Sequence, residues 1–142
     1  MSELRGLAAG VVCGGFEGAH VTPQLRQFFQ EVPLAGVVVF GRNVRSLPQV
    51  RALTDELREL ISSPLLAIDQ EGGRVARIRE GVEEIPSALA IAAASGEKDD
   101  LTFQAGVQVA FDLRRAGLNL DFAPVLDLAL ERLNTVIGTR SF

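Results

Sequence analysis

The chain has one cysteine and one histidine in 142 residues. A lone cysteine, Cys13, cannot build a disulfide framework within the chain, so a reducing compartment is expected. With His20 the only histidine, no His/Cys cluster can hold a metal, and no metal or other cofactor is expected. Long hydrophobic runs are missing too, as no stretch approaches the ~18 apolar residues of a membrane span. The N-terminal MSELRGLAAGVVCGGF is too polar at its start, and too short in its apolar part, for a secretory signal. Nor is there an excess of positive charge. The 14 basic and 18 acidic residues are interspersed and sum to −4, with no basic stripe to follow a nucleic-acid backbone. The expectation is a cytoplasmic protein that partners neither nucleic acid nor membrane.

What is present is a core and a rhythm. Hydrophobic residues make up 47% of the chain, ample for one packed domain or a piece of a larger one. Leu7 to Cys13 reads as a short apolar strand closed by Gly14 and Gly15, with Cys13 as a small core residue. VTPQLRQFFQE opens a helix: Thr22 caps it, Pro23 suits the first turn, and Leu25, Phe28 and Phe29 pack on one face. AGVVVFGRN is a continuous β-branched run, the kind buried on both faces of a parallel sheet. SLPQVRALTDELRELIS is the clearest helix. Ser46 and Gln49 stand at capping-box spacing, and Leu47, Val50, Leu53, Leu57, Leu60 and Ile61 form a stripe. PLLAID is a third strand. Asp99 or Asp100 begins another helix with Phe103, Val107, Ala110, Phe111 and Arg114 along one side and Gly117 as its stop. LNLDFAPV is a fourth strand.

Strand and helix thus alternate, as in βα units around a parallel sheet. A doubly wound dinucleotide fold would carry G-x-G-x-x-G after its first strand. The sequence there is GGFEGAH, without that spacing, and no phosphate loop appears elsewhere. A closed (β/α)8 barrel of the TIM type is therefore preferred. Such a barrel takes about 250 residues, and four strands are legible here. The whole chain, 1–142, is thus expected to be the N-terminal half of a larger catalytic domain, truncated after about four βα units.

Barrel active sites lie at the C-terminal ends of the strands. Asp69 stands at that end of the third strand. Gly72 and Gly73 allow a sharp turn or a close approach to a ligand. Arg74, Arg77 and Arg79 can return donors to the mouth, Asp121 and Asp127 flank the end of the fourth strand, and Arg140 follows a glycine soon after. Carboxylates accept from sugar hydroxyls and arginines donate to them, so the set suits a polyhydroxylated ligand. Several of these residues have plainer readings. Arg74 and Arg79 read as structural or solvent-facing, Asp121 and Asp127 as holding loops at the barrel rim, and His20 as exposed in a connection.

LLAIDQEGGRVARI, GVVVFGRNVRSLPQVRALTDELRE, LNLDFAPVLDL and VIGTRSF, in that order, resemble the N-terminal catalytic domain of glycoside hydrolase family 3. The resemblance runs from about Leu7 to Phe142, and D-Q-E-G-G-R-V-x-R is most similar to the bacterial β-N-acetylhexosaminidase branch. It implies a (β/α)8-type barrel and removal of terminal, non-reducing β-linked N-acetylglucosamine, with muropeptides recovered from the cell wall as a cytoplasmic substrate. It further implies that Asp69, Arg77 and Arg140 bind the sugar. Its retaining mechanism uses an aspartate nucleophile and a histidine acid/base. Both belong to later segments, so no catalytic residue is expected in this chain and the chain alone is expected to be inactive. Where the family usually has an aspartate before the arginine of the last motif, this chain has Thr139. A β-glucosidase of the same family, or a non-catalytic carbohydrate-binding or interaction fragment, are the alternatives.

Overall fold

The computed structural model describes residues 3–94, 100–128, 130–131 and 133–142. The elements begin with α1 (Glu3–Ala9), β1 (Cys13–Gly14), α2 (Pro23–Glu31) and β2 (Gly36–Val39). A 3-10 turn at Gly41–Asn43 leads into α3 (Leu47–Leu60) and β3 (Leu65–Ile68), and a hairpin of β4 (Gln70–Gly72) and β5 (Val75–Ala76) follows at once. Then come α4 (Ala88–Ala94), α5 (Leu101–Arg115), β6 (Leu120–Asp121) and a 3-10 turn at Gly138–Arg140. Strands β1, β2, β3 and β6 form one sheet in that order, every neighbouring pair parallel. The order never reverses, whereas a doubly wound sheet reverses at its switch point. The parallel α/β layout with sequential strands is the one a barrel requires.

Local chemistry explains most elements. Thr22 Oγ1 accepts from the Leu25 amide at 3.2 Å and Pro23 occupies the first turn of α2. Phe29 is buried edge-on to Phe16, while Phe28 remains 44% exposed. In α3, Ser46 Oγ accepts from Gln49 N. The reciprocal bond runs one residue further back than a capping box would place it: Gln49 Oε1 accepts from Arg45 N, and Gln49 Nε2 donates to Ala19 O. The α3 stripe of Leu47, Val50, Leu53 and Leu57 is buried against Val37, Val39, Leu66 and Ile68 in the core. Burying side chains of this size supplies about 1.5–3 kcal/mol each before entropy is subtracted, which makes the α3–sheet layer the main source of cohesion.

Four local readings are corrected. The run from Leu7 to Cys13 is not a strand: α1 covers Leu7 to Ala9, and β1 is confined to Cys13 and Gly14. Leu7, Ala8 and Ala9 are good helix formers, and a short apolar run carries no period that separates strand from helix. Cys13 is exposed rather than in the core, because β1 lies at the edge of the described sheet and pairs over two residues. The fourth strand shortens to Leu120–Asp121. Asn119 supplies part of its ladder through the side chain, Oδ1 accepting from Leu66 N and Nδ2 donating to Pro64 O, and Pro124 has no N–H to extend it.

The fourth correction concerns α5. Asp100 caps it by accepting from Phe103 N, and it stops at Gly117, whose φ is +74°; Asp99 lies outside the described residues. Phe103, Val107, Ala110, Phe111 and Arg114 are all exposed. The inward stripe is instead Val109, Asp112, Leu113 and Ala116. An acid at a core-facing position hides that stripe from hydropathy. Its burial is satisfied by Glu83 N, Gln108 Nε2 and Arg115 Nη1, as buried carboxylates require. Thr54 Oγ1 donates to Ala116 O and Arg58 to Gly117 O, fastening the end of α5 to α3.

Candidate functional site

In β3, Leu65 is exposed, whereas Leu66, Ala67 and Ile68 are fully buried between α3 and the neighbouring strands. Asp69 is the next residue along, and it emerges at the C-terminal end of the sheet with its side chain 24% exposed. The loop expected after it is a tight antiparallel hairpin, with Gln70 opposite Ala76 and Gly72 opposite Val75. Gly72 and Gly73 make the turn at φ of +92° and +54°. This chain's own residues 85–87 approach them closely. A Cβ on Gly72 would stand 2.6 Å from Pro86 O, and one on Gly73 would meet Ser87.

The hairpin returns Arg77 to Asp69. Gln70, itself buried, makes the closure: its Oε1 accepts from Arg77 N at 2.8 Å and Ile78 N at 3.0 Å, and its Nε2 donates to Ile78 O at 2.8 Å. Arg77 Nη2 then donates to Asp69 Oδ2 at 2.8 Å. Arg77 Nε is buried and has no partner among the described residues. The partly exposed Asp69 carboxylate, held by Arg77, can accept from a hydroxyl.

A second charged group lies beside the first. Glu71 Oε2 and Oε1 accept from Arg140 Nε and Nη2 at 2.8 and 2.7 Å. Asp121 Oδ1 accepts from Gln70 N at 2.9 Å, which ties β6 to the root of the hairpin. Burial is the main force raising the Asp121 carboxyl above the ordinary aspartate range, opposed by the bond from Gln70 N, and the charges of Asp69 and Glu71 push it further up. A carboxyl raised on folding contributes stability below its unfolded pKa, and loses it as the pH climbs through the folded one. Asp121→Asn keeps an acceptor for Gln70 N and removes the titration. The variant is expected to show a flatter stability–pH curve in the window rising from about 3.9, the ordinary aspartate value, with no loss at neutral pH. Denaturant midpoints across that window check this, and a curve as steep as the wild type would assign the slope elsewhere.

The remaining residues separate clearly. Arg74 serves the neighbouring segment: its Nη2 donates to the carbonyls of Thr135, Val136 and Ile137 at 2.9, 2.5 and 3.2 Å. Arg79 is exposed and donates to Gly73 O. Asp127 is exposed and acts on Arg140 only through its field. His20 is exposed in the connection before α2, and Thr139 is exposed on the last 3-10 turn. Arg140, by contrast, is not frayed; α4 packs against its turn and Glu71 holds its side chain. Glu71 and Gln70 are the residues that sequence reasoning passed over. The signal was the spacing: in an extended chain Asp69 and Glu71 stand on one side and Gln70 on the other.

Next to the Glu71–Arg140 pair opens a cleft of about 570 Å³ whose walls include Glu71, Asp121, Arg140, Leu113, Leu118 and Phe142; Asp69 and Arg77 are not among its lining residues. Asp69 and Glu71 are both spanned by arginine, and burial raises the Asp121 carboxyl. The cluster is therefore equipped to bind through directional, charge-assisted hydrogen bonds.

Comparison with known proteins agrees with this layout. The model of the family described as "Glycosyl hydrolase family 3 N terminal domain" matches residues 9–142. A beta-hexosaminidase of Pseudomonas aeruginosa (strain LESB58) is 38% identical over 125 residues, covering 88% of this chain and 37% of that protein. A beta-hexosaminidase of Alkalilimnicola ehrlichii is 40% identical over 139 residues, covering 94% and 39%. Among solved structures, a glycoside hydrolase family 3 beta-N-acetylglucosaminidase from Paenibacillus sp. superposes with a TM-score of 0.90 at 33% identity, over 99% of this chain and 27% of that one. NagZ from Neisseria gonorrhoeae, solved with N-trifluoroacetyl-D-glucosamine, superposes at 0.82 with 31% identity, over 92% and 40%. This chain thus spans 37 to 39% of the length of these two curated relatives. Its parallel sheet and flanking helices share the TIM-barrel-like fold of those neighbours. By sequence along nearly its whole length and by the course of its backbone, the chain belongs to the glycosyl hydrolase family 3 N-terminal domain family.

Proposed function

We propose that residues 1–142 form about the first four βα units, the N-terminal half of a (β/α)8 barrel, in an exo-acting retaining glycosidase. The substrate class is terminal, non-reducing β-linked N-acetylglucosamine, with muropeptides in cytoplasmic cell-wall recycling as the natural source. Asp69 accepts hydrogen bonds from the sugar hydroxyls, and Arg77 and Arg140 donate to the sugar. The aspartate nucleophile and the histidine acid/base come from the rest of the full-length protein. The observation that carries this reading is the Asp69–Arg77 pair at the end of β3, with Arg77 Nε buried and unpartnered among the described residues. The name of the Paenibacillus neighbour, a beta-N-acetylglucosaminidase, supports the N-acetylated sugar. No helix among the described residues is long and apolar enough to cross a membrane.

The full-length protein is expected to hydrolyse a chromogenic β-N-acetylglucosaminide with a higher kcat/KM than the matching β-glucoside. Both substrates present the same leaving group, so their ratio reports recognition of the sugar alone. The reverse preference would favour a β-glucosidase, and turnover of neither would favour a carbohydrate-binding role.

A further inference from the structure

Arg140 is held with more care than a peripheral residue needs. Its Nε and Nη2 both donate to the two oxygens of Glu71, at 2.8 and 2.7 Å. A fork-to-fork pair fixes the plane of a guanidinium as well as its position. The Glu71 side chain is 8% exposed and sits on β4, whose root is locked by the Gln70 bonds to Arg77 and Ile78. The segment that carries Arg140 is tied down separately. Arg74, from the hairpin tip, donates to Thr135 O and Val136 O, and Asn134 Oδ1 accepts from Val136 N and Ile137 N. Arg140 Nη1 donates to Val136 O at 3.1 Å. These bonds engage one N–H on each of its three nitrogens, which leaves two of the five N–H groups of an arginine to face a ligand.

We propose that Glu71 is a positioning residue for glycoside recognition: its two-point hold sets the plane and place of the Arg140 guanidinium that donates to the sugar. This rests on the reading of Arg140 as a sugar-binding residue. Both oxygens of Glu71 already accept from Arg140, and its side chain is only 8% exposed. It therefore acts through the arginine. The hairpin matters for the same reason. One short element presents Asp69 and Arg77 directly and aims Arg140 from a segment about seventy residues further along.

The test is a double-mutant cycle in the full-length protein: wild type, Glu71→Gln, Arg140→Ala and the double variant, assayed on a chromogenic β-N-acetylglucosaminide with melting temperatures on the same samples. Glutamine keeps the size of Glu71 but sets an NH2 group against one guanidinium N–H, so the fork is lost while the packing survives. Glu71→Gln is expected to lower kcat/KM by about tenfold and Arg140→Ala by about a hundredfold, the scale at which small misplacements of binding groups are felt. The double variant is expected to be no worse than Arg140→Ala alone. Guanidinium ion at millimolar concentration should restore part of the activity of Arg140→Ala and none to the double variant. Multiplied losses in the double variant, or equal rescue in both backgrounds, would overturn the proposal. A harmful Arg140→Ala with a harmless Glu71→Gln would overturn the positioning role and leave the sugar-site reading standing. A harmless Arg140→Ala would remove that reading for Arg140, and the positioning role with it.

Discussion

Asp69→Ala in the full-length protein is expected to lower kcat/KM for a β-N-acetylglucosaminide by at least about a hundredfold while leaving the melting temperature near that of the wild type. A hydrogen bond to a charged group is worth roughly 1.5–3 kcal/mol, and a carboxylate bridging neighbouring hydroxyls makes two. Each 1.4 kcal/mol is about tenfold, so losing both reaches the stated factor. Stability should be spared because the hairpin does not depend on Asp69. Gln70 closes it through Arg77 N, Ile78 N and Ile78 O, and Asp121 anchors its root. The Asp69–Arg77 ion pair is partly open to water, with side chains 24% and 33% exposed, and exposed pairs contribute about 0–1 kcal/mol. Arg77→Ala is expected to be harmful as well, since it removes the buried Nε donor together with the partner of Asp69. A fall in melting temperature, with normal activity per folded molecule, would instead make Asp69 a structural residue.

The chain of residues 1–142, purified alone, is expected to show no hydrolysis of the same substrate. Retaining chemistry needs a nucleophile and an acid/base on opposite sides of the scissile bond, about 5–5.5 Å apart. Asp69 and Glu71 are each committed to an arginine. Asp121 accepts from Gln70 N, and Asp127 is exposed. His20 is exposed in the connection before α2. Turnover by the purified chain, abolished by Asp121→Asn or Asp127→Asn, would relocate the mechanism to residues 1–142.

The parallel sheet was legible through β2 and β3, short apolar runs with most residues buried, and helices α2 and α3 because their caps and stripes agree. The errors share a cause: tertiary context outvoted local pattern. Leu7 to Ala9 have no period to distinguish helix from strand, and nothing in α1 is buried to impose one. In α5 the aromatic residues made the more visible stripe, yet the buried one contains Asp112, whose partners come from the Glu83 amide, Gln108 and Arg115. No hydropathy scale anticipates an acid that is satisfied by a loop some thirty residues away.

The site was legible in part. Asp69 follows from the end of a buried strand, and Arg77 and Arg140 came from the resemblance to the family. Their grouping did not come from spacing. Arg74, Arg77 and Arg79 alternate along one short segment, yet each has a different destination: carbonyls of residues 135–137, Asp69, and Gly73 O. Only the hairpin's register decides which of the three returns to the strand end. Glu71 escaped notice because its significance lies in Arg140, sixty-nine residues later.

Binding tests the central claim more directly than turnover, because it isolates the sugar from the groups that cleave it. Calorimetric titration of the full-length protein with N-acetylglucosamine should give saturable binding in the wild type. Asp69→Asn, which keeps the shape and removes the charge, should weaken it by at least about tenfold, and Arg77→Ala should do the same. Undiminished affinity in both variants, each folded by its melting curve, would contradict the assignment of the Asp69–Arg77 pair as the place where the sugar is held.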